Sequence, residues 1–85
     1  MSDSIDASFK QAAIDVNALD EAPDNLVKLR LYALFKQAQN GDATGERPGM
    51  SDFVARAKWD AWAERRGMSA DDAKQAYVEL VESLK

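Results

Sequence analysis

The chain of 85 residues carries 15 acidic and 11 basic side chains, for a net charge of −4, and 46% of its residues are hydrophobic. It has no cysteine and no histidine, which excludes a disulfide framework, thiolate metal sites and the commonest general base of enzymes. This length predicts one domain, residues 1–85, with a small core. The N-terminal residues do not resemble a signal peptide and no apolar run would cross a bilayer, so a soluble cytoplasmic protein is expected.

Apolar residues at helical spacing predict the first helix. They are Ile5, Phe9, Ala12, Ala13 and Val16. Pro23 then interrupts helical geometry, and Asp24 is expected to cap a second helix that runs from Asn25 to about Asn40.

The second helix is apolar on more than one face. One stripe comprises Val27, Leu31, Leu34, Phe35 and Ala38. Beside it lie Leu26, Leu29 and Tyr32. A helix of this kind is either central to a bundle or lines a ligand site, and the pattern alone leaves both interpretations open.

A loop rich in glycine, residues 40–49, separates the second helix from a third. Ser51 or Asp52 is expected to cap the third helix, which is predicted to run to Gly67. Ser69, with Asp72 three residues later, predicts the start of a fourth helix. Its apolar face comprises Ala73, Ala76, Tyr77, Leu80, Val81 and Leu84. The predicted fold is all-α, with four helices and no strand.

Positive charge is concentrated in the middle of the chain. Residues 28–66 hold eight Lys and Arg against five acids, a net charge of +3, whereas residues 1–27 have a net charge of −5. This distribution favours a compact anionic ligand over a long duplex. Tyr32 and Lys36 share a helix face, and Lys58 adjoins Trp59, so lysines and aromatic rings together suit a phosphorylated nucleotide. The same residues also fit an amphipathic core with lysines that extend to solvent.

Several short motifs stand in one register between residues 31 and 62. They are Tyr32, Phe35–Ala38, Gly41–Asp42, Glu46–Met50, Asp52–Phe53 and Ala57–Trp62. Together they resemble the pattern of the acyl-CoA-binding protein family, which reads approximately Y-x-x-[YF]-K-Q-A-x-x-G-D, then E-R-P-G-M, D-F and A-K-W-D-A-W. The similarity extends in both directions to cover essentially the whole chain.

The resemblance implies a four-helix bundle with up-down-down-up connectivity and a long link between the second and third helices. It also implies an intracellular, non-catalytic carrier and buffer that binds medium- to long-chain fatty-acyl-CoA thioesters stoichiometrically. No cofactor, metal, nucleic-acid partner or stable membrane insertion is expected. A one-to-one carrier of this size is expected to be a monomer.

Site residues follow from the same resemblance. Lys36 and Lys58 would neutralise the 3′-phosphate of the ligand, with the Tyr32 hydroxyl donating to the same group. Phe35 would stack on adenine, and Tyr77 would contact the ligand from the fourth helix. The other expected acyl-CoA-binding positions are Ala33, Leu34, Ala13, Asn17 and Leu29, of which Ala13 and Leu29 would line an acyl groove.

The chain departs from the family pattern at several of these positions. Phe35 stands where the family often has Tyr, and Asn17 replaces a common basic residue. Lys28 and Arg30 occupy positions near the groove that are often apolar, and they either compensate for the charge lost at Asn17 or alter the chain preference. The residues alone also allow a helical protein-interaction module. The net charge disfavours a nucleic-acid binder, and no activated nucleophile or base supports an enzyme.

Overall fold

Four helices and one short 3-10 turn make up the secondary structure of residues 2–85, which this computed structural model describes, with side-chain burial from residue 4 onward. The elements are α1 (Ser2–Asp15), the 3-10 turn (Val16–Ala18), α2 (Asn25–Asn40), α3 (Phe53–Ala63) and α4 (Ala70–Ser83). Residues 2–85 contain no strand, and the all-α prediction is confirmed. None of these helices has the length and hydropathy that a bilayer crossing requires.

Side-chain caps fix the starts of α2, α3 and α4. The Asp24 carboxylate accepts a hydrogen bond from the Val27 backbone N–H at 2.9 Å, and the Ser69 hydroxyl accepts one from the Asp72 N–H at 3.0 Å. Of the two predicted caps of α3, the structure uses Asp52. Each cap satisfies a backbone donor that the helix itself leaves free, which is why these residues mark the boundaries.

The end of α3 differs from the prediction. The helix stops at Ala63 rather than at Gly67. In the turns that follow, each hydrogen bond spans three residues instead of four, as where the Arg65 N–H donates to the Trp62 carbonyl at 2.9 Å. The Gly67 N–H donates instead to the Asp42 carboxylate at 2.8 Å, and Gly67 has a φ of 90°, which favours glycine. The Gly67 N–H is therefore satisfied by the link between α2 and α3 and not by the helix.

The direction of each helix follows from side-chain pairs. Asp6 pairs with Lys74 and Asp15 with Lys85, so α1 and α4 run parallel. In the contacts between α2 and α3 the residue numbers on both helices also increase together, so these two helices are parallel as well. Those pairs are Tyr32–Lys58 and Lys36–Trp62.

The main core lies where α4 packs against α1 and α2. It comprises Phe9, Ala12, Leu31, Leu34, Ala38, Ala73, Tyr77 and Val81. The Phe35 ring contacts the Tyr77 ring with centroids 5.8 Å apart, and the Gln37 amide donates to the Met68 carbonyl, so α2 is antiparallel to α4. The up-down-down-up arrangement expected from the resemblance is therefore present, and the predicted stripes of α2 and α4 face this core.

The long link between α2 and α3, residues 41–52, is held by side chains of its neighbours. The Trp62 indole N–H donates to the Gly41 carbonyl at 2.7 Å, and the Trp59 indole N–H donates to the Thr44 carbonyl at 3.2 Å. The Arg47 guanidinium donates two hydrogen bonds to the Asp60 carboxylate, at 2.7 and 2.6 Å. These bonds attach the link to α3.

Candidate functional site

A groove of about 390 Å³ lies between α2 and α3. Its lining residues are Asn25, Lys28, Leu29, Tyr32, Phe53, Val54, Ala57 and Lys58. Phe53 is 73% exposed and Val54 67% exposed, although both are large and apolar. Exposed apolar side chains gathered along one groove are typical of a binding surface.

A larger depression, of about 530 Å³, lies where the C-terminal ends of α1 and α4 meet. Its lining includes the carboxylates of Asp15, Asp20 and Glu21 and one cation, Lys85, which pairs with Asp15 at 3.0 Å. The carboxylates of Asp20 and Glu21 remain to repel an anionic ligand. The smaller groove between α2 and α3, which no acidic side chain lines, is therefore the better candidate site.

Two lysine–aromatic pairs follow one another at one end of this groove, the first within its lining and the second one helical turn further along α2 and α3. The Lys58 ammonium lies 5.4 Å from the centre of the Tyr32 ring, and the Lys36 ammonium lies 4.8 Å from the centre of the Trp62 ring. Within residues 4–85 neither lysine forms an ion pair with a carboxylate. Each ammonium rests on an aromatic face, an arrangement that leaves donors for an anionic group.

The nearest acid on α3 does not neutralise Lys58. Asp60 is paired with Arg47, and the hydrogen bond from this guanidinium holds the pKa of the Asp60 carboxyl below its usual range. The carboxylate is therefore ionised and already occupied at neutral pH, and the positive charge of the groove end remains available.

Phe35 and Tyr77 meet in a separate aromatic cluster. The Phe9 ring lies 5.4 Å from that of Phe35 and 5.1 Å from that of Tyr77, in the second case edge to face. Burial raises the pKa of the Tyr77 hydroxyl, so this group is a neutral hydrogen-bond donor at physiological pH. Phe35 lies about 100° around α2 from Lys36, at the border between the core and the surface.

The remaining predicted site residues have different surroundings. Ala33 is 0% exposed and Leu34 is 4% exposed, so both side chains are enclosed. Ala13 is half-buried and packs against the core, while the Asn17 amide is exposed and donates to the Ala13 carbonyl at 3.3 Å. Tyr32, Leu29 and Lys58 meet in the groove; the contact of all ten residues with a ligand stays a prediction.

Several groove residues were not among those predicted from the sequence. Phe53, Val54 and Ala57 line the groove from α3, and Asn25 closes its far end on α2. The available signal was the apolar pair at the very start of α3. To predict these residues from that signal, one would have had to recognise that the first turn of α3 does not pack into the core.

Comparisons with known proteins agree on one family. The sequence model of the family described as "Acyl CoA binding protein" matches residues 6–81. The chain is 52% identical over 77 residues to Acyl-CoA-binding protein homolog 1 of Caenorhabditis elegans, a match that covers 91% of this chain and 90% of that protein. The crystal structure of Oryza sativa Acyl-CoA-Binding Protein 2 superposes with a TM-score of 0.93 and 36% identity, covering 98% of this chain and 90% of that one.

One similar protein is an enzyme. The chain is 50% identical over 76 residues to Enoyl-CoA delta isomerase 2 of Rattus norvegicus, which covers 89% of this chain but only 19% of that enzyme. The similarity therefore concerns a small part of the isomerase.

Proposed function

The chain belongs to the acyl-CoA-binding protein family, and on this premise we propose that it binds fatty-acyl-CoA thioesters in the groove between α2 and α3. In this proposal it is a non-catalytic carrier and buffer of medium- to long-chain esters, monomeric and cytoplasmic. The observation that carries the proposal is the continuity of a cationic end with an apolar groove along one face of α2.

The cationic end suits the 3′-phosphate of the ligand. Tyr32 and Lys36 are four residues apart on α2, and the Lys58 ammonium lies over the Tyr32 ring. A phosphate beside this ring would accept charge-assisted hydrogen bonds from both lysines and one from the Tyr32 hydroxyl. Because neither lysine has a carboxylate partner within residues 4–85, binding would not require an existing ion pair to break.

The apolar groove suits the acyl chain. Leu29 on α2 lines the groove together with Phe53 and Val54 at the start of α3, and the two α3 side chains are mostly exposed. Burial of an alkyl chain contributes about 0.8 kcal/mol for each methylene. Even partial burial in an open groove should therefore make long-chain esters bind far more tightly than free CoA.

The adenine would lie against the aromatic cluster. Phe35 is half-buried and borders the cationic end of the groove through its neighbour Lys36. A ring already held by Phe9 and Tyr77 would offer a fixed surface for stacking. The neutral hydroxyl of Tyr77 is the one donor that α4 would contribute.

Calorimetric titration tests the proposal directly. Dodecanoyl-CoA and free CoA are titrated into the protein, and we expect one-to-one saturation by the ester and much weaker binding of CoA. Native mass spectrometry of freshly expressed protein should show a monomer that carries copurified acyl-CoA. Equal affinity for the two ligands, or no binding of either, would contradict the proposal and favour a protein-interaction module.

A further inference from the structure

Besides Lys36, α2 carries one further lysine, Lys28, which the proposed phosphate contacts do not use. It lies four residues before Tyr32 and lines the groove together with Lys58. It also borders a second depression, of about 350 Å³, which contains Asn17. Lys28 is exposed, and within residues 4–85 it forms no ion pair with a carboxylate.

We propose that Lys28 makes the groove select acyl-CoA thioesters whose acyl chain itself carries a carboxylate. This inference rests on the proposed function, because it assumes that the acyl chain occupies the groove between α2 and α3. It adds a specificity-determining residue and a class of ligand, namely the CoA esters of dicarboxylic acids.

The position of Lys28 along the groove supports this assignment. Tyr32 and Lys58 mark the phosphate end, and Lys28 lies one turn of α2 away from it, about 6 Å along the helix axis. The groove continues to Asn25, three residues before Lys28 on the same helix face. An acyl chain that lies along the groove would therefore pass an ammonium and an amide, both hydrogen-bond donors.

The charge balance of the groove points the same way. Apart from Asn25, its other lining residues on this side of Tyr32 are apolar, and no carboxylate is among the lining residues. The acids next in sequence, Asp24 and Asp52, accept backbone N–H groups as the caps of α2 and α3. An alkyl chain would contact only the methylene stem of Lys28, whereas a carboxylate at its end would also pair with the Lys28 ammonium.

Lys28 has one competing role, as a phosphate contact that replaces the basic residue absent at Asn17. The shared depression with Asn17 is compatible with that role. The groove lining favours the acyl chain, because Lys28 lies on the side of Tyr32 away from Lys36 and among apolar residues. The two roles predict different ligand dependence, which makes them separable.

The test compares dodecanoyl-CoA with the mono-CoA thioester of dodecanedioic acid, in the wild type and in Lys28→Met. Met retains the stem and removes the charge. We expect the variant to bind the dicarboxylic ester up to about fivefold more weakly, as for an exposed ion pair, and dodecanoyl-CoA no more weakly than the wild type does. Added salt should reduce the wild-type preference. Arg30→Met, which removes a cation of α2 outside the groove, should leave the ratio unchanged.

Three results would overturn the inference. Equal weakening of both esters and of free CoA by Lys28→Met would make Lys28 a phosphate contact. An unchanged ratio of the two affinities would make it a bystander. In both cases acyl-CoA binding stands. Failure of the wild type to bind dodecanoyl-CoA would instead remove the proposed function, and this inference with it.

Discussion

On the side of α2 that faces α1 and α4, Leu31, Leu34 and Ala38 are buried, whereas on the side that faces the start of α3, Leu29 is only half-buried and Phe53 is 73% exposed. Both sides are rich in apolar residues. The difference is that α4 covers the first side, while the N-terminal halves of α2 and α3 leave the second side open as a groove.

In this way a small protein can keep apolar surface open for the proposed ligand and stay folded. The buried side supplies the stabilising contacts, and the open side contributes less to stability because its side chains remain in water. Substitutions on the two sides of α2 should therefore separate folding from binding.

The largest expected effect is on the buried side. Leu34→Ala should lower the free energy of unfolding by about 2–5 kcal/mol, because it leaves a cavity in the core. Urea unfolding followed by circular dichroism measures this change. The matched control is Leu26→Ala on the same helix, where the side chain is 62% exposed and the expected change is within about 0.5 kcal/mol. Similar losses in the two variants would refute the distinction between the two sides.

Lys58→Ala should have the next largest effect, on binding rather than folding. We expect a loss of about 1.5–3 kcal/mol in the binding of dodecanoyl-CoA, the range for a hydrogen bond to a charged group. Calorimetry measures it, and the loss should shrink for the ester of dephospho-CoA. Lys10→Ala, which removes an exposed lysine of α1 outside the groove, is the control. An equal loss in both variants would reduce the role of Lys58 to general electrostatic attraction.

Phe53→Ala tests the apolar part of the groove. Removing this ring should weaken the binding of dodecanoyl-CoA by about 1 kcal/mol, since part of the ring would be covered by the acyl chain, and should leave free CoA unaffected. The unfolding free energy should change little because the ring is mostly exposed. Met50→Ala provides the comparison, since Met50 is also exposed but does not line the groove. If Met50→Ala weakened binding as much, the acyl chain would not follow the groove.

The smallest expected effect concerns the pH dependence of stability and the hydrogen bonds to Asp42, at the start of the link between α2 and α3. Hydrogen bonds from the Gly67 N–H and the Gln37 amide lower the pKa of the Asp42 carboxyl below its usual 3.8. A lowered pKa in the folded state means that this stabilisation is present above about pH 4 and is lost as the pH falls through the lowered value. Asp42→Asn should therefore reduce the melting temperature at neutral pH and weaken its dependence on acid.

Thermal unfolding of the wild type and Asp42→Asn at neutral and acidic pH measures both effects. Asp20→Asn, at an exposed carboxylate without a hydrogen-bond partner in residues 4–85, is the control and should follow the wild type. If the melting temperature of Asp42→Asn also followed that of the wild type at both pH values, the hydrogen bonds to Asp42 would not stabilise the fold.

Local signals predicted most of the fold. The bounds of α2 and the caps Asp24 and Ser69 were correct because they depend on residues near in sequence. The predicted end of α3 was wrong: the residues after Ala63 form i→i−3 turns, and the Gly67 N–H binds Asp42, far away in the chain. Periodicity contains no information about such a contact.

The site was less accessible from the sequence than the fold. A helical pattern identified the apolar surplus of α2, but whether α3 or a ligand would cover each residue depends on how far α3 extends along α2. Ala33 is enclosed, whereas Phe53 and Val54, which were not among the predicted site residues, line the groove.

Amide chemical-shift mapping with dodecanoyl-CoA tests most directly whether the open side of α2 binds acyl-CoA. We predict the largest shifts at Leu29, Tyr32 and Lys58 around the groove, and small shifts at Val81 in the core. Largest shifts at Asp15 and Lys85, around the acidic depression, would contradict the claim, as would the absence of any shift at saturating ligand.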